Sequence, residues 1–210
     1  MLLASFQELF LRDHGGPMAE MPGLQVKPAF ERDLGNGLHL RLLQAQDAEE
    51  LFALVDRNRE HLRPWMPWVD GTSGVADILT FIENTLREFA EAKAIRLGVC
   101  LNGSVVGHVG ADVRTIHRAA EVGYWLDAAH QGRGIMTRAV EALLTHLFDE
   151  KGIHRTEIRA APENRRSRAM AERFGFRMEG VLRQYTFCSG RWLDQVVYGL
   201  LEDEWEARTP

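Results

Sequence analysis

The sequence predicts an α+β protein, a mixed sheet flanked by helices, and three features of the chain support this class. Apolar segments of strand length recur along it, and Asn102-Gly103 is a strong two-residue hairpin signal between two of them. Other segments repeat apolar residues at helical spacing. One of these helices separates two predicted strands, which makes that pair parallel, whereas short turns elsewhere make antiparallel pairs.

The N-terminal half supplies four of the predicted strands and two helices. The first strand spans residues 38–43, and Asp47 then caps a helix that runs to about residue 59. A second helix is predicted over 75–93. Three further strands follow one another through short turns and form a meander, over 95–101, 105–115 and 120–126.

The C-terminal half begins with a helix over 134–151, which Gly152 ends. A fifth strand over 154–160 and a helix over 164–174 follow. Two final strands, over 176–187 and 192–201, bring the prediction to seven strands and about four helices. Because a helix joins the fourth strand to the fifth, we expect these two to be parallel.

Residues 1–27 are predicted to be an N-terminal extension, and residues 28–210 to be a single domain. Residues 1–12 place apolar side chains at helical spacing, so they predict a short helix. Two interpretations stay open. In the first, the segment is a loosely held extension, or translation starts later than Met1, since Met18 and Met21 offer other start positions. In the second, the segment is a helix that docks on a partner.

Composition excludes several classes of protein. The net charge of −5 disfavours a nucleic-acid binder, and no apolar run approaches the roughly 20 residues of a membrane span. Cys100 and Cys188 lack metal-ligand spacing, which argues against a metal site and a disulfide framework. We therefore expect a cytoplasmic protein without a bound metal, membrane anchor or direct nucleic-acid contact.

Residues 125–137 read as an apolar strand, a short turn with two glycines and the start of a helix. At such a junction several backbone N–H groups point at one spot, at the positive end of the helix dipole, and this spot suits a phosphate. A plain strand-to-helix turn also explains the pattern. Arg133 adds donors that match phosphate oxygens. Thr137 stands where the dinucleotide fingerprint needs a third glycine, and no Gly-Lys-Ser/Thr follows. The predicted ligand bears phosphate but is not held in a standard nucleotide fold.

The stretch Gln131-Gly132-Arg133-Gly134-Ile135-Met136 resembles the pyrophosphate loop of the GNAT-superfamily acetyltransferases. Met136 departs from the small residue of that pattern, as in the RimJ/RimL-like branch of ribosomal-protein N-acetyltransferases. The likeness to this branch runs from about residue 38 to 205, through Leu62-Arg63-Pro64-Trp65-Met66-Pro67-Trp68, residues 121–126, Asn164-Arg165-Arg166-Ser167, Gly175-Phe176 and Glu179-Gly180. It implies a GNAT-like, mostly antiparallel sheet that splays between the fourth and fifth predicted strands.

The resemblance also implies acetyl-CoA as co-substrate. Its pyrophosphate would lie on the loop, and its pantetheine arm would pair with the edge of the fourth strand, as in strand addition. Asn164, whose plain interpretation is a helix N-cap, would contact that arm. The implied set is Trp125, Leu126, Gln131, Gly132, Arg133, Gly134, Ile135, Met136, Thr137, Asn164 and Ser167. Five arginines near the two helix starts either suit the phosphates or form solvated faces: Arg133, Arg138, Arg165, Arg166 and Arg168.

Two residues are candidates for the chemistry. The resemblance places the hydroxyl of Ser167 near the thioester sulfur. Because Ala171 replaces the tyrosine that many GNAT enzymes use one turn later, either Ser167 or a water must take its place. Glu121 on the fourth strand is the candidate base for the amine; otherwise it is a solvent-facing carboxylate that attracts a cationic acceptor. Tyr185 and Thr186 are weaker candidates on the sixth strand.

Trp65 and Trp68 lie in a segment with two prolines, which excludes a regular helix or central strand. They either cover the edge of the core or wall the acceptor cleft, together with Glu121 and Tyr185. The predicted acceptor is the N-terminal amine of a protein, a ribosomal protein in particular. The alternatives are a small-molecule amine, such as a polyamine, amino acid or antibiotic, and a non-catalytic acyl-CoA-binding module. The family makes a homodimer an expectation, with the final hairpin as its candidate surface.

Overall fold

The computed structural model describes residues 30–208, so the helix predicted over residues 1–12 lies outside the described residues. The described chain forms one eight-stranded sheet in the order β1-β2-β3-β4-β5-β6-β8-β7. Its strands are β1 Glu31–Asp33, β2 Leu38–Leu42, β3 Ala94–Leu101, β4 Ser104–Arg114, β5 Ala119–Leu126, β6 Arg155–Ala160, β7 Arg177–Cys188 and β8 Arg191–Leu201. β5 and β6 pair parallel and the other neighbours pair antiparallel, as predicted.

Six α-helical segments and several 3₁₀ turns accompany the sheet in this range. The helices are α1 Ala48–Arg57, α2 Arg59–Leu62, α3 Val75–Ala90, α4 Ile135–Thr145, α5 Arg165–Arg173 and α6 Glu202–Glu206. The end of the predicted helix over 134–151 is a π-helical turn, His146–Glu150, that continues α4. Within residues 30–208, no helix combines the length and apolar composition that crossing a bilayer requires.

Two differences from the predicted elements have local causes. The eighth strand, β1, is three residues long and wholly charged, so it carries no apolar alternation to predict it from. The helix predicted from Asp47 to about residue 59 is α1, which ends at Arg57, and Asn58 separates it from α2, a short helix that was not predicted. The side chain of Asn58 donates to the Leu54 carbonyl (2.8 Å) and to Asp127 (3.0 Å), and it is buried. This buried amide ties the junction of α1 and α2 to the end of β5.

The two faces of the sheet bury different sets of helices. Val122 and Leu126 of β5 lie in the same apolar cluster as the α4 residues, and Met170 of α5 packs against it. Trp125 lies instead in the cluster that α1 and α3 contribute to. Alternation along the strand therefore places Glu121 on the α1/α3 face and Tyr124 on the α4/α5 face.

The splay between β5 and β6 is present in the structure and confirms the prediction. The two strands pair from Ala119↔Arg155 to Val122↔Ile158, and the pairing ends there. Beyond that point residues 123–126 keep their partners on β4 alone, so their other edge is open. A gap therefore lies in the middle of the sheet, with β5 on one side and β6 on the other.

Candidate active site

The gap between β5 and β6 opens into a cavity of about 1110 Å³. Its walls come from α2 and the segment after it, β5, the β5–α4 loop, β6, α5 and the β7–β8 hairpin. Most of the site residues predicted from the sequence line this cavity: Trp65, Glu121, Trp125, Leu126, Gln131, Gly132, Gly134, Ile135, Met136, Thr137, Asn164, Ser167 and Tyr185. Arg133 and Trp68 are not among the residues that line it.

The loop before α4 is shaped by two left-handed glycines. Gly132 and Gly134 both have φ +73°, a conformation that side chains with a Cβ rarely adopt. A Cβ built on either glycine meets no protein atom within 4 Å, so the space in front of the loop is open. Gly134 is also the N-cap of α4, and the residues that follow it line the cavity. The start of a long helix therefore faces this space.

Asp127 anchors the same loop to α1 and α2. Its carboxylate accepts from Arg57 (2.9 Å), Asn58 (3.0 Å) and the Ala129 N–H (3.2 Å), and it is 4% exposed. Burial acts to raise the pKa of Asp127, but the hydrogen bonds from Arg57 and Asn58 outweigh it and lower the pKa to about 2. The loop is thus held by a charged group that is fully ionised near neutral pH.

We expect Asp127→Ala to lower the free energy of unfolding at pH 7 by about 2–4 kcal/mol, because it leaves buried donors unpaired. The folded-state pKa of Asp127 lies below its unfolded value, so this stabilisation is present above about pH 4 and is lost as the pH falls towards 2. Chemical denaturation of both proteins at pH 7 and near pH 2.5 measures it. A difference that stays constant across this range would contradict the assignment.

A chain of three side chains crosses the cavity next to the loop. Arg166 of α5 donates to the Gln131 side-chain oxygen, and Gln131 Nε2 donates to His61 Nε2 (2.6 Å). Burial and the nearby Arg166 lower the pKa of His61, so its imidazole is neutral and can accept. Gln131 therefore joins α5 on one wall to α2 on the other.

The predicted arginine cluster divides. Arg165 and Arg166 line the cavity, and Arg173, which was not predicted, joins them and donates to Thr137 Oγ1 (2.9 Å). Arg138 and Arg168 are engaged elsewhere: Arg138 donates to the carbonyls of residues 34 and 35, and Arg168 donates to the Tyr198 hydroxyl (2.8 Å). Neither of these two arginines lines the cavity, so the structure does not bring them to the candidate phosphate site.

Ser167 is positioned by the start of α5. Asn164 is the N-cap, and its side-chain oxygen accepts from the Ser167 N–H (3.2 Å), as the N-cap interpretation predicts. The Tyr124 hydroxyl lies 3.1 Å from Ser167 Oγ. Ala171, one turn later, is fully buried in the core. Sequence reasoning missed Tyr124, although alternation along β5 places it opposite Glu121 and therefore towards α5.

Glu121 lies on the other face, in a mostly buried ionic network. Its side chain is 16% exposed, and its Oε2 is 3.4 Å from Arg159 Nη1. Burial raises the pKa of Glu121, and Glu157 on the neighbouring strand adds to this, while Arg159 and Arg114 oppose it. Arg159 also donates to Glu157 and to the Tyr185 hydroxyl (both 2.9 Å). Arg159 was not predicted, because its partners come from three different strands.

The two tryptophans have different places. Trp65 lines the cavity and packs on the small apolar cluster that contains Cys188 and Leu193. Trp68 is 1% exposed and lies 6.1 Å, centroid to centroid, from Trp125 in the core. The assignment of Trp68 to the acceptor cleft is therefore wrong. Pro67 begins a 3₁₀ turn that directs Trp68 inward.

The far end of the cavity, beside Trp65, is formed by the β7–β8 hairpin. The two strands change register between residues 182 and 186, and Tyr185 in this irregular stretch lines the cavity. Thr186 also lines it, and its hydroxyl accepts from Gln195 Nε2 (3.1 Å) inside the protein. This end therefore presents neutral polar and aromatic groups next to the Glu121–Arg159 pair.

The comparisons with known proteins place this fold in a class of acyltransferases. The acetyltransferase (GNAT) domain family matches residues 37–177, so the chain belongs to the GNAT family. YdaF of Bacillus subtilis, whose name assigns it provisionally to the ribosomal N-acetyltransferases, is 36% identical over 180 residues. That alignment covers 84% of this chain and 98% of YdaF.

Two solved structures are similar throughout the fold. The ribosomal α-N-protein acetyltransferase RimL, in complex with coenzyme A, has a TM-score of 0.79 and 25% identity, over 82% of this chain and 98% of RimL. The microcin self-immunity acetyltransferase MccE, in complex with acetyl-CoA and AMP, has a TM-score of 0.76 and 30% identity, over 80% of this chain and 93% of MccE. The protein is accordingly an acetyl-CoA-dependent N-acetyltransferase.

Proposed function

We propose that this enzyme acetylates the N-terminal amine of a protein, with ribosomal proteins as the leading acceptor class. The side chains at the acceptor end of the cavity support this proposal most directly. There the carboxylate of Glu121 is paired with Arg159, and the remaining walls include Trp65, Tyr185 and the Thr186–Gln195 pair. Because the Glu121 carboxylate is already paired with Arg159, this end of the cavity suits a single terminal amine better than a polycation. The names of YdaF and RimL point to the same acceptor class.

The residues present suit acetyl-CoA. The open space in front of Gly132 and Gly134, at the start of α4, accommodates a pyrophosphate, and Arg165, Arg166 and Arg173 supply positive charge along the same wall. The open edge of β5 over residues 123–126 supplies backbone groups that pair with the amides of the pantetheine arm. In this arrangement the thioester lies between β5 and the start of α5, next to Ser167.

When bound, acetyl-CoA supplies an activated acetyl group on a sulfur that leaves as a thiolate. Glu121 accepts a proton from the acceptor amine, directly or through water, so that the neutral nitrogen can form the new C–N bond. Its raised pKa brings this carboxylate closer to the pKa of about 8 of an α-amino group. Ser167 Oγ donates its proton to the sulfur as the C–S bond breaks. The proton that the nitrogen loses on becoming an amide returns through water to the serine oxygen, and the proton held by Glu121 passes to solvent.

A release assay for the CoA thiol, run with a panel of acceptors, tests the proposal. The panel contains peptides with the N-terminal sequences of ribosomal proteins, the same peptides with a blocked α-amine, polyamines, free amino acids and aminoglycosides. Peptide turnover that is abolished by the blocked amine supports the proposal. Higher kcat/KM for a polyamine or another small amine would overturn the acceptor class, and absence of turnover with every amine would favour a non-catalytic binding module.

We expect Ser167→Ala to lower kcat about tenfold and to leave the dissociation constant for acetyl-CoA within about twofold. The reason is that the hydroxyl interacts with the sulfur mainly as the C–S bond breaks, whereas Asn164 holds the backbone of residue 167 in either protein. Steady-state kinetics and calorimetric titration separate the two effects. Full turnover in the variant would assign the proton to water instead.

A further inference from the structure

Tyr124 connects the strand that borders the cleft to the helix that carries Ser167. Its hydroxyl lies 3.1 Å from Ser167 Oγ and 3.2 Å from the carbonyl oxygen of the same residue. Both residues line the cavity. The tyrosine comes from β5 and the serine from α5, so the contact crosses the place where the thioester is proposed to lie.

The Tyr124 and Ser167 hydroxyls can be hydrogen-bonded in two ways, because each hydroxyl has one proton to donate. In the first, Ser167 donates to Tyr124 and Tyr124 donates to the Ser167 carbonyl, which leaves no serine proton for the cleft. In the second, Tyr124 donates to Ser167 Oγ, and the serine proton is free to point into the cleft. The Ser167 carbonyl lies within α5, where the amide four residues later is its helical partner, so it does not require the phenol.

We infer that Tyr124 is the positioning residue of Ser167: its hydroxyl donates to Ser167 Oγ and directs the serine proton towards the thioester sulfur. The inference deepens the proposed function and rests on the role of Ser167 given there. Burial raises the pKa of Tyr124 to about 12, so the phenol remains protonated near neutral pH and serves as a constant donor. Ala171, one turn after Ser167, is buried and carries no hydroxyl, so this position of the helix supplies no alternative donor.

The hydrogen bond from Tyr124 to Ser167 should affect bound CoA as well as turnover. A serine proton directed at the sulfur stabilises the thiolate form of CoA relative to the thiol, and this lowers the pKa of the bound thiol. Without the phenol, the Ser167 hydroxyl is free to rotate away, and the thiol pKa rises. This quantity is measured without any acceptor, by following thiolate absorbance of the CoA complex through a pH titration.

The test compares Tyr124→Phe, Ser167→Ala and the double variant. We expect Tyr124→Phe to lower kcat about tenfold and to raise the pKa of the thiol of bound CoA by about one unit. The affinity for desulfo-CoA, which lacks this thiol, should be unchanged. Because Tyr124 acts through Ser167, the double variant should match Ser167→Ala in both measurements, and the two effects should not add.

Tyr198→Phe is the matched control. The hydroxyl of Tyr198 also ties the sheet to α5, through Arg168 (2.8 Å) and Glu172 (3.1 Å), but Tyr198 does not line the cavity. Its removal loosens the same helix without touching Ser167. We expect kcat and the thiol pKa of this variant to equal those of the wild type.

The outcomes separate the inference from the proposed function. If Ser167→Ala is impaired while Tyr124→Phe keeps wild-type kcat and thiol pKa, the inference is overturned and the role of Ser167 stands. Additive effects in the double variant, or equal losses in Tyr124→Phe and Tyr198→Phe, would also overturn it, since they indicate a general structural effect. If Ser167→Ala itself behaves as the wild type, the proposed role of Ser167 fails and the inference fails with it.

Discussion

Replacing Glu121 by Gln should lower kcat/KM for the acceptor amine about 100-fold and leave the affinity for acetyl-CoA unchanged. The amide keeps the size of the side chain but cannot accept the proton of the attacking amine. In the wild type, burial raises the pKa of Glu121, and Arg159 at 3.4 Å opposes this rise. The carboxylate must be ionised to act, so activity in the wild type should fall as the pH drops through its folded-state pKa.

The pH profile of this variant distinguishes a base from an electrostatic attractor. Without Glu121, residual activity should depend on the fraction of neutral amine alone, and should rise with pH up to the amine pKa of about 8. A carboxylate that merely attracts a cationic acceptor would change KM and leave the shape of the kcat profile intact.

Glu179→Gln serves as the control for general charge effects. The side chain of Glu179 is 40% exposed and pairs with Arg155 of β6, the strand that also carries Arg159, but Glu179 does not line the cavity. We expect its kcat/KM to stay within about twofold of the wild type. Equal losses in the Glu121 and Glu179 variants would remove the case for a base at residue 121.

Gly134→Val should weaken binding of acetyl-CoA about thirtyfold, which corresponds to about 2 kcal/mol. Gly134 has φ +73°, and a β-branched residue there must either hold a strained backbone or move the amides at the start of α4. The added side chain also projects into the open space in front of the loop, where the pyrophosphate is proposed to lie. Calorimetric titration with acetyl-CoA and CoA measures the loss.

Gly103→Val is the control that separates the effect of backbone strain from the loss of the phosphate-binding loop. Gly103 has φ +88° in the β3–β4 hairpin, and a Cβ there also meets no atom within 4 Å. Both variants should lose about 1–3 kcal/mol of stability from backbone strain, but only Gly134→Val should lose affinity. Unchanged affinity in Gly134→Val would contradict the assignment of the loop to phosphate.

Local patterns were enough to predict most of the fold, because strand alternation, helix spacing and turn residues act over a few positions. Asn164 at the start of α5 and the splay between β5 and β6 are where the prediction placed them. The three-residue β1 could not be predicted in this way, since Glu31–Asp33 is charged throughout and is a strand only because β2 pairs with it.

The site was predictable only in part, because its contacts join distant elements. Trp65 and Trp68 belong to one motif, yet the turn that Pro67 begins buries one of them and leaves the other at the cavity. Arg159 reaches partners on β5, β6 and β7, and Tyr124 reaches a serine 43 positions away. Alternation along β5 gives the side on which Tyr124 lies but not its partner on α5, and no local pattern marks Arg159, so both sets of contacts emerge only when the sheet is assembled.

The open edge of β5 also bears on how the domain holds together. Exposed strand edges usually attract other chains, but this one faces the gap between β5 and β6 in the middle of the sheet instead of its outer margin. Four residue pairs, Ala119↔Arg155 to Val122↔Ile158, are the whole ladder that joins the two halves of the sheet at this point. In the complex proposed above, a pantetheine arm in the gap extends that ladder with groups that are not part of the polypeptide. On that proposal the co-substrate acts as a removable strand, and the continuity of the sheet is made and broken once in every turnover.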